Sequence, residues 1–277
     1  MEVINRPDYT EKVKKLFGKG FIIALTGQRR VGKSFIMRQV IKELSQDSAA
    51  HVIYIDKDNE EFSFVQSHEE LTKYVKSNLL SNKRNYLFVD EIQNIKEFEV
   101  SLRSFHTNDE CEMVITGSNA KMLSSELSTY LSGRCVEYHI QSLDYREFLT
   151  FHRLSDNNQS LHNYLKYGGL PQLHRIGLEE TELVDDYLKS VYHTIVLKDV
   201  IEREEIRNVP LLKNLIRFVG DNVGKVFSAS SIVKYLKSQQ VDSSTRVILN
   251  YLEYLCNAYI INRVNRYDIH GKRLFEL

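Results

Sequence analysis

The sequence predicts an α/β protein in which a parallel sheet is followed by a helical region and then by a small helical module. In the first half of the 277-residue chain, short runs of β-branched and aromatic residues alternate with amphipathic helical patterns. Such alternation is typical of parallel strands joined by crossover helices. The strand signals stop near Leu143. The runs predicted as strands are Phe21–Thr26, His51–Asp56, Tyr86–Asp90, Glu112–Gly117 and Arg134–Ile140.

The helical region and the module after it are separated by prolines at segment ends. Pro7, Pro171 and Pro210 lie at such ends and place boundaries near residues 142 and 208. We therefore expect a core over residues 1–142, a helical lid over 143–207 and a third domain over 208–277. The lid helices are predicted at Tyr145–His152, Leu161–Tyr167 and Glu180–Arg207.

The third domain has the pattern of a winged helix-turn-helix. Its predicted helices are Leu211–Val219, Ser230–Ser238 and a third that is capped at 242–245 and runs to Asn257. Two β-prone runs, Tyr259–Val264 and Arg273–Leu277, predict a hairpin wing. Because the sequence stops inside the second run, we expect it to be a piece of a longer protein.

The composition indicates a soluble protein and excludes several kinds of site. No apolar run approaches the roughly 20 residues of a membrane helix, and the N-terminus has no secretory signal. We therefore expect a cytoplasmic protein that does not bind membranes. Three widely spaced cysteines, with no C-x-x-C and no metal spacing among nine histidines, predict reduced thiols and neither a disulfide framework nor a zinc site.

A phosphate-binding loop follows the first predicted strand directly and precedes a helix. Gly27-Gln28-Arg29-Arg30-Val31-Gly32-Lys33-Ser34 satisfies the G-x-x-x-x-G-K-[ST] pattern in the strand–loop–helix setting that confirms it. Glycines let the backbone wrap phosphates, and the N–H groups at the helix start bind negative charge. The loop, together with Phe35, predicts a site for ATP, with Lys33 on the β- and γ-phosphates and Ser34 on Mg²⁺.

Two acidic residues end the third predicted strand. An acidic pair after a strand is often an exposed turn, but behind a phosphate loop Asp90 is expected to ligate Mg²⁺. Glu91 is then expected to orient and deprotonate the attacking water. The pair predicts an ATPase.

Three further residues are candidates with open alternatives. Either Ser118 or Asn119, after the fourth strand, is expected to sense the γ-phosphate or to position water; the alternative is an N-cap for a helix over Ala120–Leu131. Arg134 stands before the fifth strand, where it is expected to offset transition-state charge in cis or from a neighbouring subunit; the alternative is a surface arginine.

These motifs resemble those of AAA+-related ATPases of bacteria and archaea, similar to signal-transducing ATPases, which combine a P-loop core, a helical lid, a winged helix and a further C-terminal domain of uncertain function. The resemblance covers nearly the whole chain. It is carried by Thr26–Ser34, Phe88–Gln93, Thr116–Asn119, Leu131–Arg134, Tyr145–Phe148 and Gly168–Pro171.

The resemblance implies more than the residues show by themselves. It implies that the strand ending at Thr116 lies between the phosphate-loop strand and the Asp90 strand. It implies adenine rather than guanine as the base, approached from the lid by Pro171. Without the resemblance, Gly168–Pro171 is a turn between helices. The part of the family that is likened to restriction-type nucleases is absent here, so no nuclease residues are assigned.

Charge suggests a partner for the third domain. The 71 residues from Arg207 onward carry eleven basic and five acidic residues, a net +6, although the whole chain is neutral. Double-stranded DNA is one expected partner, and a lid role or docking of a protein is the alternative. The residues that would face DNA are Ser243, Ser244, Thr245, Arg246 and Asn250, with Arg263 or Arg266 on the wing.

Three functional hypotheses remain open from the sequence. The first is an ATPase that couples turnover to work on DNA or on a partner protein, either alone or as a homo-oligomer. The second is a slow switch controlled by the nucleotide. The third is a DNA-binding regulator with a vestigial site, which the intact Lys33, Ser34, Asp90 and Glu91 disfavour.

Overall fold

A computed structural model of the chain describes residues 4–118 and 133–264. In these ranges the chain divides between Val191 and Tyr192 into two compact units. The first unit contains a five-stranded parallel sheet and the helices around it. The strands are β1 (Ile22–Thr26), β2 (Ala50–Asp56), β3 (Arg84–Asp90), β4 (Glu112–Gly117) and β5 (Cys135–His139).

The order of the strands is β2-β3-β4-β1-β5. All five predicted strands are confirmed, with ends that shift by at most two residues. The strand that contains Thr116 lies between the phosphate-loop strand and the Asp90 strand, as the resemblance implied. Because β1, β3 and β4 are buried on both faces, they are almost continuously apolar. Their carboxyl ends meet at one edge of the sheet.

In the part of the chain that the structure describes, four helices cover the two faces of the sheet. They are α1 (Pro7–Lys14), α2 (Lys33–Leu44), α3 (His68–Asn78) and α4 (Phe98–Thr107). The apolar stripe of α2, with Ile36, Met37 and Val40 fully buried, packs on one face of the sheet. On the other face, Leu71 and Val75 of α3 belong to a second apolar cluster that includes α4.

The helical lid follows β5. Its helices are α5 (Tyr145–His152), α6 (Asn158–Tyr167), the short α7 (Leu173–Ile176) and α8 (Thr181–Thr194). A capping box formed by Asp144 and Glu147 begins α5 at the predicted residue. The predicted long helix to Arg207 is wrong in its last part. Beyond Thr194 the chain winds as a π-helix over Ile195–Glu202, and Glu205, at φ 48°, turns it away before Arg207.

The second unit contains the three predicted helices of the third domain. They are α9 (Val209–Asp221), α10 (Ala229–Ser238) and α11 (Thr245–Asn257), and the apolar residues Leu215, Ile232 and Ile248 lie in its core. Ser244 caps α11, as the sequence predicts. The boundaries near residues 142 and 208 stay predictions, since compactness divides the chain at another place.

The wing of the third domain is not confirmed. Tyr259 has φ 55°, and the Ile260 N–H donates to the Leu255 carbonyl, so these residues close α11 with a left-handed turn. The strand predicted over Tyr259–Val264 is therefore wrong, because its first residues satisfy the end of a helix. The partner strand, Arg273–Leu277, and Arg266 lie outside the described residues.

Candidate nucleotide-binding site

The phosphate loop leaves the sheet at the carboxyl end of β1. Gly27 has φ 136°, and a Cβ on it would lie 2.2 Å from the Ile140 carbonyl oxygen, so only glycine fits here. Gly32, at φ 100°, is the N-cap of α2, and its carbonyl accepts the first bond of that helix, from Ile36. Between the two glycines the loop consists of Gln28, Arg29, Arg30 and Val31.

Lys33 lies inside the loop. Its side chain is 4% exposed, and Nζ donates to the carbonyl oxygens of Gly27 at 2.9 Å and Gln28 at 3.0 Å. The ammonium is therefore held between the start of the loop and the N-terminus of α2. Both the cation and the helix N-terminus favour an anion at this position.

The two carboxylates meet the loop from β3. Asp90 is 3% exposed and Glu91 is 8% exposed. The Asp90 carboxylate accepts a hydrogen bond from the hydroxyl of Thr116. Burial raises the pKa of Asp90, and the nearby hydroxyls of Thr116 and Ser34 oppose that rise. Ser34 and Asp90, predicted to share a metal, are therefore close to each other.

Thr116 also holds the backbone of Glu91. The Glu91 N–H donates to Thr116 Oγ1 at 2.8 Å, and Glu91 has a left-handed φ of 53°. One buried hydroxyl on β4 thus binds both consecutive acids of β3. Sequence reasoning named the segment Thr116–Asn119 but missed Thr116 itself, because its partner strand was known only through the resemblance.

Gln93 is a second residue that sequence reasoning missed. Its Nε2 donates to the Glu91 carboxylate and lies 3.4 Å from Ser118 Oγ. Since a carboxylate only accepts, the amide nitrogen must face Glu91, and Oε1 points elsewhere. Ser118 is 1% exposed, so the structure brings it to Glu91 through Gln93. Asn119 lies outside the described residues.

A third carboxylate stands beside Asp90 at the end of β2. Asp56 and Asp90 are neighbours in the parallel register, and Tyr54 OH lies 3.3 Å from Asp56 Oδ2 and 3.4 Å from Asp90 Oδ2. Burial raises the pKa of Tyr54 to about 12, so the hydroxyl keeps its proton as a donor. Arg38 of α2 binds Asp56 at 3.1 Å and offsets its charge. In the sequence, the one signal that Asp56 belongs to the site was its position at the end of a predicted strand.

The lid contacts the loop through the segment that contains Pro171. A Cβ on Gly32 would lie 3.8 Å from Pro171 Cγ. The segment is fixed to the end of the core, since the Leu143 N–H donates to the Gly169 carbonyl at 2.7 Å. Phe35 is 41% exposed, and the Arg175 guanidinium lies 5.5 Å from its ring centre. Both predicted residues, Phe35 and Pro171, therefore border the loop.

Arg134 lies at the opposite edge of the sheet. It precedes β5, and its carbonyl accepts from the Ile22 N–H, at the start of β1. The loop begins after Thr26, which pairs with His139 at the other end of β5. Five residues of strand separate the two ends by about 16 Å. This position is unsuited to the predicted role of Arg134 in cis, so action from a neighbouring subunit stays a prediction beside the alternative of a surface arginine.

The residues present fit a magnesium nucleotide. The loop has a close approach that only Gly27 permits, a buried cation and a helix N-terminus, all suited to phosphate. Ser34 and Asp90 offer the oxygen ligands that Mg²⁺ prefers. Within the described ranges no group of three or more His, Cys, Asp or Glu side chains could hold a metal alone. Mg²⁺ would therefore be bound jointly by these two residues and by phosphate oxygens.

Comparisons with known proteins agree with this site. Residues 19–149 match a family described as an AAA domain, and residues 158–274 match a domain of unknown function, DUF8612. No helix of the described residues is long and apolar enough to span a bilayer. The two matches divide the chain into a nucleotide-binding part and a helical part.

Two curated relatives are similar over most of the chain. An uncharacterized protein of Haemophilus influenzae is 32% identical over 279 residues, which covers 98% of this chain and 68% of the relative. The uncharacterized protein MJ1544 of Methanocaldococcus jannaschii is 29% identical over 266 residues, which covers 91% of this chain and 58% of the relative. This chain therefore spans about two thirds of the first and less of the second.

Solved structures are similar at low identity. A Hsp104–ADP complex of S. cerevisiae has a TM-score of 0.48 and 16% identity, covering 94% of this chain and 40% of that chain. Cdc6p from Pyrobaculum aerophilum has a TM-score of 0.46 and 11% identity, covering 92% and 86%. These likenesses add nothing to the assignment, which depends on the loop, the AAA-domain match and the Haemophilus relative. This chain belongs to the AAA+-related P-loop ATPases, a family of nucleotide-binding proteins.

Proposed function

We propose that this chain binds MgATP and hydrolyses it to ADP and phosphate, and that the nucleotide state changes its conformation so that it acts on DNA or on a partner protein. The proximity of Ser34 to Asp90 carries the proposal. It joins the end of the phosphate loop to the acidic end of β3, two elements that are 56 residues apart in the sequence.

Each residue has a defined task in this reaction. Lys33 and the loop N–H groups bind the phosphates, with Phe35 and Pro171 at the border of the site. Ser34 and Asp90 would hold Mg²⁺, which supplies positive charge against the transferring phosphoryl group. Glu91 orients the attacking water and accepts its proton. The half-buried amide of Gln93 and the hydroxyl of Ser118 keep the Glu91 carboxylate in place.

A slow, nucleotide-controlled switch is the second candidate, and one observation favours it. Gln93 already donates to one oxygen of the Glu91 carboxylate and restrains that carboxylate from turning toward a water molecule. In this case ATP binding, rather than turnover, sets the conformation. A DNA-binding regulator with little turnover is a related alternative.

Exposed polar and basic residues of the third domain support double-stranded DNA as a proposed partner. Thr245, Arg246 and Asn250 are exposed on the first turns of α11, the second helix of the helix-turn-helix pair. Such a helix enters the major groove in related architectures. The exposed Arg263 follows α11 and adds to the positive charge.

Turnover with and without DNA tests the proposal. The wild type should hydrolyse MgATP, and Glu91→Gln should bind it yet turn over at least about tenfold more slowly, as general-base catalysts usually contribute. Stimulation by duplex DNA that is lost in Glu91→Gln would support action on DNA. Tight ATP binding with little turnover and no DNA effect would favour the switch. Equal turnover in both proteins would remove Glu91 from the mechanism.

We propose that Arg134 acts on the nucleotide that is bound to a neighbouring copy of the chain. The position of this residue at the far edge of the sheet supports action in trans within a homo-oligomer. Arg134→Ala should bind ATP and hydrolyse it slowly, and Lys33→Ala should not bind it. Mixing the two variants should restore part of the activity, because one copy supplies the intact site and the other the arginine. No gain on mixing would contradict action in trans.

A further inference from the structure

Arg6, in the segment before α1, has an almost fully buried guanidinium. The residue is 4% exposed. Nε and Nη2 donate to the two carboxylate oxygens of Glu147 at 2.7 and 2.8 Å. Nη1 donates to the carbonyl oxygens of Val31 at 3.1 Å and Gln141 at 3.0 Å. One side chain therefore contacts the phosphate loop, the end of the core and the first lid helix.

The bond to Val31 bears directly on the phosphate site. Val31 precedes Gly32, and no peptide bond of the described chain is cis. In a planar trans peptide the carbonyl and the next N–H point in opposite directions. By holding the Val31 carbonyl, Arg6 therefore turns the Gly32 N–H away from itself. A charged donor on that carbonyl also polarises the peptide and makes its N–H a stronger donor.

Two further loop carbonyls also have a cationic partner. Lys33 holds the carbonyls of Gly27 and Gln28 from within the loop, whereas Arg6 holds that of Val31 from outside. A lysine at position 6 would lack the planar fork, since an ammonium is a point donor. The bidentate pair with Glu147 and the bond to Val31 together require arginine.

Glu147 links the same guanidinium to the lid. It is the third residue of α5, and its Oε2 also accepts from the Asp144 N–H at 3.1 Å, as part of the capping box. The pair neutralises a charge that would be costly to bury alone. The start of α5 and the Val31–Gly32 peptide are thus held by one rigid group.

We propose that Arg6 is a positioning residue for the nucleotide: it orients the Gly32 N–H toward the phosphates of ATP, and Glu147 holds Arg6 in place from the lid. This inference rests on the proposed function, and it assigns to the N-terminal segment a part in phosphate binding. A purely structural ion pair would stabilise the fold and leave the affinity for nucleotide unchanged.

The test compares nucleotide affinity with stability in the whole chain. Arg6→Lys should bind both ATP and ADP about tenfold more weakly, since it loses one charge-assisted bond to the loop. The loss should be equal for the two nucleotides, because the loop binds phosphates that both contain. Lys14→Met, which removes an exposed ion pair of α1, serves as the matched control and should bind as the wild type does.

A second variant separates affinity from folding. Arg6→Gln combined with Glu147→Gln leaves no unpaired buried charge, so it should keep the melting temperature closer to that of the wild type than either single change does. It should still lose about tenfold in affinity. If Arg6→Lys does not fold, this double variant still tests the inference. Wild-type affinity in a folded variant, with only the melting temperature lowered, would overturn the inference.

The ATP and ADP affinities of the wild type and of Lys33→Ala are measured in the same experiment. If the wild type binds ATP, Lys33→Ala does not, and the Arg6 variants bind normally, the inference on Arg6 alone fails. If the wild type binds neither ATP nor ADP, the proposed function fails and this inference with it.

Discussion

The two halves of the candidate site are built in different ways. The phosphate-loop half is one continuous segment, Gly27–Ser34, whose glycines and lysine lie within eight residues. The carboxylate half is assembled from three strands: β2 contributes Tyr54 and Asp56, β3 ends in Asp90 and is followed directly by Glu91, and β4 contributes Thr116.

Because the two halves are built differently, we expect substitutions in them to have different effects. The loop half supplies the charge and N–H groups for phosphate, so changes there should remove binding. The carboxylate half mainly aligns acids whose net charge opposes an anion, so changes there should spare binding and alter turnover or stability. Substitutions at Lys33, Thr116 and Gln93 can each break this distinction, and we expect their effects to decrease in that order.

Lys33→Ala should have the largest effect. The phosphates lose the buried cation of the loop, and ATP affinity should fall at least about a hundredfold. Lys42→Ala, an exposed lysine on the same helix, is the matched control. Equilibrium binding of a fluorescent ATP analogue measures both, and an unchanged affinity for Lys33→Ala would refute the site.

Thr116→Val should lower stability with a smaller effect on ATP affinity. The change keeps the shape of the side chain but removes the buried hydroxyl between Asp90 and the Glu91 N–H. The buried Glu91 N–H then loses its acceptor, which costs about 1 to 3 kcal/mol, and the Asp90 carboxylate loses one of its donors. Thr116→Ser keeps the hydroxyl and should lose less.

Urea unfolding followed by circular dichroism measures the loss in these Thr116 variants. If Thr116→Val is as stable as Thr116→Ser, the hydroxyl does not hold the two acids. If instead Thr116→Val abolishes ATP binding, the division of tasks between the two halves is wrong.

Gln93→Leu should have the smallest effect, on turnover alone. Without the amide, the Glu91 carboxylate loses the hydrogen bond from Gln93 and, with it, the contact to Ser118. The rate of hydrolysis should then fall about fivefold at unchanged ATP affinity. Asn94→Ala changes the adjacent exposed amide and should be neutral. A faster Gln93→Leu would show instead that Gln93 restrains Glu91, as a slow switch requires.

The sequence predicted the loop half well because its signal is local. Lys33 and Ser34 were found from spacing alone, and the structure shows the close approach at Gly27 that the motif requires. Asp90 and Glu91 were found because they end an apolar strand. The same local reasoning failed at Tyr259, where a β-prone residue closes a helix, because propensity does not record which backbone groups are still unpaired.

Arg134 and Arg6 show the limit of local reasoning. Arg134 is adjacent to a strand, but whether it stands at the loop edge or the far edge depends on the direction of β5 beside β1. Arg6 has no motif around it, and its partners Val31 and Glu147 are 25 and 141 residues away. Contacts of that separation require the fold itself.

The sequence by itself determined the α/β class, the phosphate loop and the two acids behind β3, because each depends on residues adjacent along the chain or on the period of one element. Only the tertiary structure decided what surrounds them: Thr116 and Gln93 around Glu91, Arg6 behind the loop and Arg134 on the opposite edge. Strand order and the docking of the lid set these positions, and no local preference encodes a distance between elements.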